Sequence, residues 1–337
     1  MADTLRVTAT ARNFRPRQTG IPVRPAQRHL AIAGMRVDDG GGNGDGVANP
    51  GEPFDLALLV TNDGIAVAES LRLTVTSPDP ALACSVYAVA TDQPLAPGDS
   101  VWVSAVPQAI VVPDCPDGHR VTFQLASLTD HYLRDTVAVM VRGDSLVLEH
   151  YSLVEAIGDG DGRAEDGETI ELAAVRIGNR GSGPADAVNL RLIPLSPGIG
   201  MLADSAATGS VPPYGGTTAP GAFRFALSAP GPYRFRMTIT GRAGRQWTGE
   251  FTMLQRPPAP SAPTVATHPD GLRVGWQPAG GAVGYAVFRA AGDTAAGVEI
   301  TPLLVGNSTY YVDPSPDTAA AGWYRVALAD SSRCLSL

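Results

Sequence analysis

The chain has 337 residues, 44% of them hydrophobic and only 6% aromatic, and Gly (38) and Pro (29) together make up about a fifth of it. A chain of this length with so many turn formers divides into two to four domains of short strands rather than long helices. Its net charge of -8, with arginine supplying all 25 basic residues, argues against nucleic acid as the main partner. No run of about 18 apolar residues is present to span a bilayer as a helix.

Met1-Ala-Asp-Thr does not begin a secretory signal, because no basic start and apolar core follow it. The chain is therefore expected to be either cytosolic or the later part of a larger exported protein. Residues 5 to 10 (LRVTAT) alternate branched and polar side chains as a half-exposed strand does. Asn13-Phe14-Arg15-Pro16 breaks that pattern and Ile21-Pro22-Val23 resumes it. Residues 1–28 read as the tail of a preceding β-sandwich and a linker.

Residues 29–144 read as a first sandwich. The strand LAIAGMRV (30 to 37) runs into the loop DDGGGNGDGVANPGE (38 to 52), and the alternation of Phe54, Leu56, Leu58 and Val60 resumes beyond it. Further strands are expected at 71 to 75, 101 to 105, 120 to 126 and 136 to 141, a seven- or eight-stranded, immunoglobulin-like pattern. Cys84 and Cys115 fall in this sandwich. Two readings stand: a disulfide closing a loop of about 30 residues, contributing about 3 kcal/mol, or two separate buried thiols. Arg142-Gly143-Asp144 closes the sandwich, and its Gly-Asp reads as an ordinary turn rather than an adhesion motif.

Residues 145–255 repeat the plan. LVLEHYSLV leads into a second acidic loop, EAIGDGDGRAEDGE (155 to 168). Five polar positions coincide: Asp39 with Glu155, Asn43 with Asp159, Asp45 with Asp161, Asn49 with Glu165, and Glu52 with Glu168. Asn62 then aligns with Asn179 and Gly64 with Gly181, but at an offset one residue larger. One extra residue in a strand is what a β-bulge supplies. Strands near 222 to 227, 233 to 240 and 247 to 254 complete the second copy. A repeat of about 116 residues is the main organisational feature.

Calcium takes six to eight oxygen ligands in flexible geometry, and a short acidic loop supplies them by alternating side chains, with glycine at the sharp turn. Counted from Gly41, Asn43, Asp45, Val47 (through its carbonyl), Asn49 and Glu52 occupy the ligand positions of an EF-hand loop. Gly41 cannot provide the first ligand, so Asp39 is the candidate. The second loop departs identically: Ile157 stands at the first position and Glu155 two residues before it, with Asp159, Asp161, Arg163, Glu165 and Glu168 completing the set. A departure shared by two copies points to one strand-flanked loop type, and two structural calcium ions are expected.

The segment RPPAPSAP (256–263) is a stiff, proline-rich linker. Residues 264–337 then have the layout of a fibronectin type III domain: Leu272, Val274 and Trp276 in one strand, Tyr285, Val287 and Arg289 in the next, then Tyr310-Tyr311-Val312-Asp313 and Trp323-Tyr324-Arg325-Val326. Its last strand is expected to be truncated. The fold class is thus all-β, tandem immunoglobulin-like β-sandwiches followed by a fibronectin type III sandwich.

Catalytic signals are weak. A thiol catalyst needs a histidine beside it, and the candidates are Cys84, Cys115 and Cys334 with His29, His119, His131, His150 and His268. Cys115 and His119 are close in sequence, yet CPDGHRVTF reads as a strand entry. The four tryptophans read as core rather than as a sugar-stacking platform.

The LRVTATARNFRPRQTGIPV segment, the GNGDGVANPGE loop, the repeat spacing and the CPDGH strand together resemble the C-terminal ancillary region of gingipain-type cysteine peptidases. The resemblance implies a non-catalytic, calcium-stabilised spacer in a secreted or cell-surface bacterial protein. It also implies a covalently linked peptidase domain in a longer parent and export by a type IX route. The alternative expectation is a free-standing adhesin or carbohydrate-binding module, whose partner is an extracellular protein or glycan.

Overall fold

The structure is a computed structural model. It describes all residues except 1–2, 24–28, 129–132, 222, 254–256, 258, 291, 293–296, 307, 317–322 and 337. Its described secondary structure is strands apart from one short 3-10 turn at Arg242–Gly244, and no helix among these residues is long and apolar enough to cross a membrane. The chain falls into two compact units, one made of Met1–Cys115 with His119–Val141 and one of Pro116–Gly118 with Arg142–Leu337.

The first unit opens with a two-stranded hairpin, β1 (Asp3–Ala9) and β2 (Arg17–Val23), in which Leu5 lies opposite Ile21 and Val7 opposite Thr19. Leu5, Val7 and Ile21 are exposed. The stretch read as a sandwich tail is therefore a ribbon with its apolar side chains in solvent, and two strands alone are marginally stable.

The rest of the unit is a sandwich of eight strands. These are β3 (Leu30–Asp38), β4 (Pro53–Asn62), β5 (Leu71–Thr76), β6 (Val86–Thr91), β7 (Ser100–Ser104), β8 (Ala109–Ile110), β9 (Arg120–Ser127) and β10 (Arg134–Met140). One sheet runs β10-β9-β5-β6; the other runs β3-β4-β7, with β8 also paired to β4. Phe54, Leu56, Leu58 and Val60 of β4 face Leu73, Val75, Val121 and Phe123 in one core. Burial of each such side chain contributes about 1.5–3 kcal/mol. Cys84 and Cys115 are not bridged. Cys84 is half-buried against the edge of the core, where its Sγ donates to Val86 O (3.2 Å), and Cys115 lies within that core. Of the two readings, the structure has two separate thiols, with the Cys84 Sγ engaged by Val86 O.

The second unit contains the second copy. Its strands are β11 (Leu146–Ile157), β12 (Thr169–Asn179), β13 (Ala185–Pro194), β14 (Ile199–Ala203), β15 (Ser205–Val211), β16 (Gly216–Thr218), β17 (Phe223–Leu227), β18 (Tyr233–Thr240) and β19 (Gln246–Met253). They pair as β11-β12-β17-β14, with β16 on β12, and as β15-β13-β18-β19. The extra residue is where the offset between copies grows. Three steps along β12, from Arg176 to Ala173, match two along β11, and Ala174 takes φ +48°. The aligned asparagines are both fully buried and do the same work. Asn62 Nδ2 donates to Ala66 O and Leu95 O, and Asn179 Nδ2 donates to Gly183 O and Val211 O.

The same unit ends in a smaller sandwich, with sheets β20 (Thr264–His268), β21 (Gly271–Gly275), β24 (Tyr310–Asp313) and β23 (Val298–Glu299), β22 (Gly284–Ala290), β25 (Trp323–Ala329). The described residues between β19 and β20 have no regular secondary structure. A polar seam ties the small sandwich to β11 and β12. Glu149, fully buried, accepts from Leu304 N (3.2 Å) and Arg180 Nη2 (3.3 Å), while Arg176 donates to Thr301 O and Pro302 O. Leu335 N donates to Tyr151 O (2.8 Å), and Cys334 is buried in the core of the second copy. Residues 264–337 thus fall in the same compact unit as the second copy.

Candidate metal centre

Both acidic loops join the first two strands of their copy, β3 to β4 and β11 to β12, so the strand ends fix where each loop starts and returns. Within them the polar side chains fold inward on the backbone. In the first loop Asp39 accepts from Asp45 N (2.9 Å) and Gly46 N (3.0 Å), Asn43 Oδ1 from Asp45 N (3.0 Å), Asp45 Oδ1 from Val47 N (2.9 Å), and Glu52 Oε1 from Asn43 N. In the second, Glu155 accepts from Gly160 N (2.6 Å) and Gly162 N, Asp159 Oδ1 from Asp161 N (3.1 Å), Asp161 Oδ1 from Arg163 N (2.8 Å), and Glu168 Oε1 from Asp159 N (3.4 Å). Four of these bonds occupy equivalent positions. The backbone agrees: Gly44, Gly46 and Gly51 have positive φ, as do Gly160, Gly162 and Gly167.

Glycine is required at one further aligned pair. A Cβ on Gly42 would overlap Glu52 Oε1, and one on Gly158 would lie 2.6 Å from Glu168 Oε1 and 2.7 Å from Glu155 Oε2. The closing glutamates therefore pack flat against bare backbone.

The arrangement gathers Asp39, Asp45 and Glu52 in the first loop and Glu155, Asp159 and Asp161 in the second, each trio offering carboxylate oxygens within 4.8 Å of one another. The remaining expected ligands sit as follows. Asn43 Nδ2 donates to Asn49 Oδ1 (3.3 Å), with Asn49 buried, and Val47 is half-buried between them in sequence. Glu168 is buried and also accepts from Glu165 N (2.8 Å); Glu165 itself is exposed. Arg163 places Nε 3.7 Å from Asp161 Oδ2, at the edge of the second trio. Sequence reasoning supplied these positions but not the exchange between copies: Asp159 joins the trio where Glu52 does in the first loop.

Three carboxylates this close repel one another, and desolvation sharpens the cost. Burial raises the Asp45 carboxyl above its ordinary range and the charge of Asp39 adds to it, against hydrogen bonds from Val47 and Asn43 that lower it. Near the second loop, burial and then the charges of Asp166, Glu168 and Glu165 push up the Tyr233 phenol. The donor set is oxygen only, carboxylate and amide, which suits a hard divalent cation and not a thiolate- or imidazole-seeking metal.

Three of the histidines are paired with carboxylates. His119 faces Asp79 (2.9 Å), His150 faces Glu299 (3.1 Å) and His268 faces Asp270 (3.7 Å). His131 lies outside the described residues. Asp144 of the Arg-Gly-Asp triplet is held by Arg245 and is 9% exposed at its side chain, so the triplet is not presented as a free loop. Of the tryptophans only Trp276 is core; Trp247 is half-buried, and Trp102 (44%) and Trp323 (51%) are exposed, correcting the expectation that all four are interior.

No protein-family model matches the sequence, and no curated protein matches it. Solved structures of a streptococcal AgI/II polypeptide do. The C-terminal domain of the AgI/II polypeptide BspA of Streptococcus agalactiae is 10% identical, with a TM-score of 0.27, and the match covers 65% of this chain and 98% of that one. The chains named BspA_C_WT and BspA_C_mut give TM-scores of 0.30 and 0.31 at the same 10% identity and 65% coverage. The all-β assignment rests on the strand order itself.

Proposed function

We propose that this chain is a non-catalytic, calcium-stabilised spacer of a secreted multidomain bacterial protein, built from two immunoglobulin-like sandwiches and a fibronectin type III sandwich. The observation that carries this reading is the duplicated loop, in which four equivalent hydrogen bonds close around a carboxylate trio twice. A catalytic centre gains nothing from tandem duplication at strand-joining loops, whereas a clamp does: an ion bridging the loop turns carboxylate repulsion into a cross-link between two strands. The all-oxygen donor set and the millimolar calcium outside cells support calcium as the ion. The resemblance of the loop and of the CPDGH strand to gingipain-type ancillary regions supports a parent peptidase as the cargo. The exposed Trp102, with Arg36 stacked 4.7 Å from its ring centroid, supports the second reading, an adhesive module.

Thermal unfolding tests the clamp. The melting temperature in millimolar calcium should exceed that in chelator by several degrees, since ligand that binds only the native state stabilises by mass action. Identical melts would remove the proposal.

A further inference from the structure

The small sandwich carries a feature that the spacer reading leaves unused. On the face of β20-β21-β24 turned away from its core is a cavity of about 280 Å³, bordered by Ser261, Thr264, Arg273, Gly275, Gln277 and Thr309. Its floor is bare backbone, because Gly275 sits mid-sheet between Thr264 and Tyr310, and glycine inside a strand marks a place of close approach.

One cation at this cavity is uncommitted. Arg273 stacks with its Cζ 4.3 Å from the Tyr310 ring centroid, and among the described residues no carboxylate pairs with it. Arg245 shows the contrasting case: it stacks on Trp247 at 5.0 Å, but its charge is neutralised by Asp144. A guanidinium held over an aromatic ring and left without an anion in an acidic protein is pre-organised for a carboxylate ligand. The cavity is below the size that takes drug-sized molecules, and the side chains of Ser261, Thr264, Gln277 and Thr309 suit a hydroxylated ring.

We propose that this cavity binds the carboxylate-bearing sugar residue of a glycan, with Arg273 holding the carboxylate and Tyr310 backing the guanidinium. The site is independent of the acidic loops.

Saturation-transfer and titration NMR on the full chain test this, with glucuronate, N-acetylneuraminate, glucose and hexaglutamate as probes. At least one acidic sugar should bind saturably in the millimolar range and glucose should not, the two acids distinguishing a uronate from a sialate source. Arg273→Gln should weaken binding at least about tenfold, the loss of one charge-assisted contact. Tyr310→Leu, which keeps the charge and removes its support, should weaken it less. Arg36→Gln, on a different stacked arginine, should change nothing, and all variants should melt with the wild type. Absence of saturable binding by either acid, equal binding of glucose, unchanged binding in Arg273→Gln, or binding of hexaglutamate alone would overturn the proposal.

Discussion

The two acidic loops share one backbone and differ in what fills it. The first holds three carboxylates and two amides, with Asp39 (3%), Asn49 (5%) and Glu52 (0%) shut away from solvent. The second puts a carboxylate at all five aligned positions, leaves Asp159 and Asp161 exposed, and lays Arg163 against one of them. Conserving the hydrogen-bond frame while varying the charge separates two jobs. The frame sets the loop's path, and the side-chain composition sets how strongly the empty loop resists closing.

The largest effect should come from removing the central carboxylates. Asp45→Asn and Asp161→Asn together should abolish most of the calcium-dependent gain in melting temperature, and each alone should remove part of it. A single variant that removes the whole gain would show that only one loop responds to calcium.

Next come the buried asparagines that brace both copies beyond the loops. Asn62→Ala removes the side-chain partners of Ala66 O and Gly64 N, and Asn179→Ala those of Gly183 O, Gly181 N and Ser145 N; a buried unsatisfied group costs about 1–3 kcal/mol. Chemical denaturation should show losses of that order in both, with or without calcium; a loss in only one copy would break the equivalence of the repeats.

Gly42→Ala should destabilise by about 1–3 kcal/mol, the usual cost of overpacking. Gly158→Ala should cost less, because the added methyl there meets the glutamate tips at 2.6 and 2.7 Å instead of overlapping one. The reverse order in denaturation would mean that the closing glutamates do not pack as described. Smallest of all, Arg163→Gln removes an exposed cation, worth about 0–1 kcal/mol at a surface pair. Its effect should appear in chelator at low salt and fade as salt screens the loop.

Much of this was legible beforehand, for identifiable reasons. Alternation in Phe54 to Val60 reports a strand with one buried face, and the one-residue growth in repeat offset reports the bulge that Ala174 forms. β6 and β14 to β16 escaped because their outward positions are apolar or small (Val86, Ala88 and Ala90 in β6), so no period of two appears in the sequence. The thiols stayed open for another reason: loop length permits a Cys84–Cys115 bridge, but whether the two sulfurs meet is decided by packing. Trp102 misled in the same way. It is apolar at a strand position, yet its parity places it opposite Leu59 on the outer face of β7. In the loops, the aligned acids were readable and the identity of the gathered trio was not, because it depends on whether Glu52 or its counterpart Glu168 spends its oxygens on backbone N–H groups.

The central claim is that each loop holds one calcium ion. Calorimetric titration of the chelator-treated chain with calcium chloride tests it most directly. The account predicts two ions per chain, falling to one in Asp45→Asn and one in Asp161→Asn. No saturable heat, or a stoichiometry untouched by both substitutions, would contradict it.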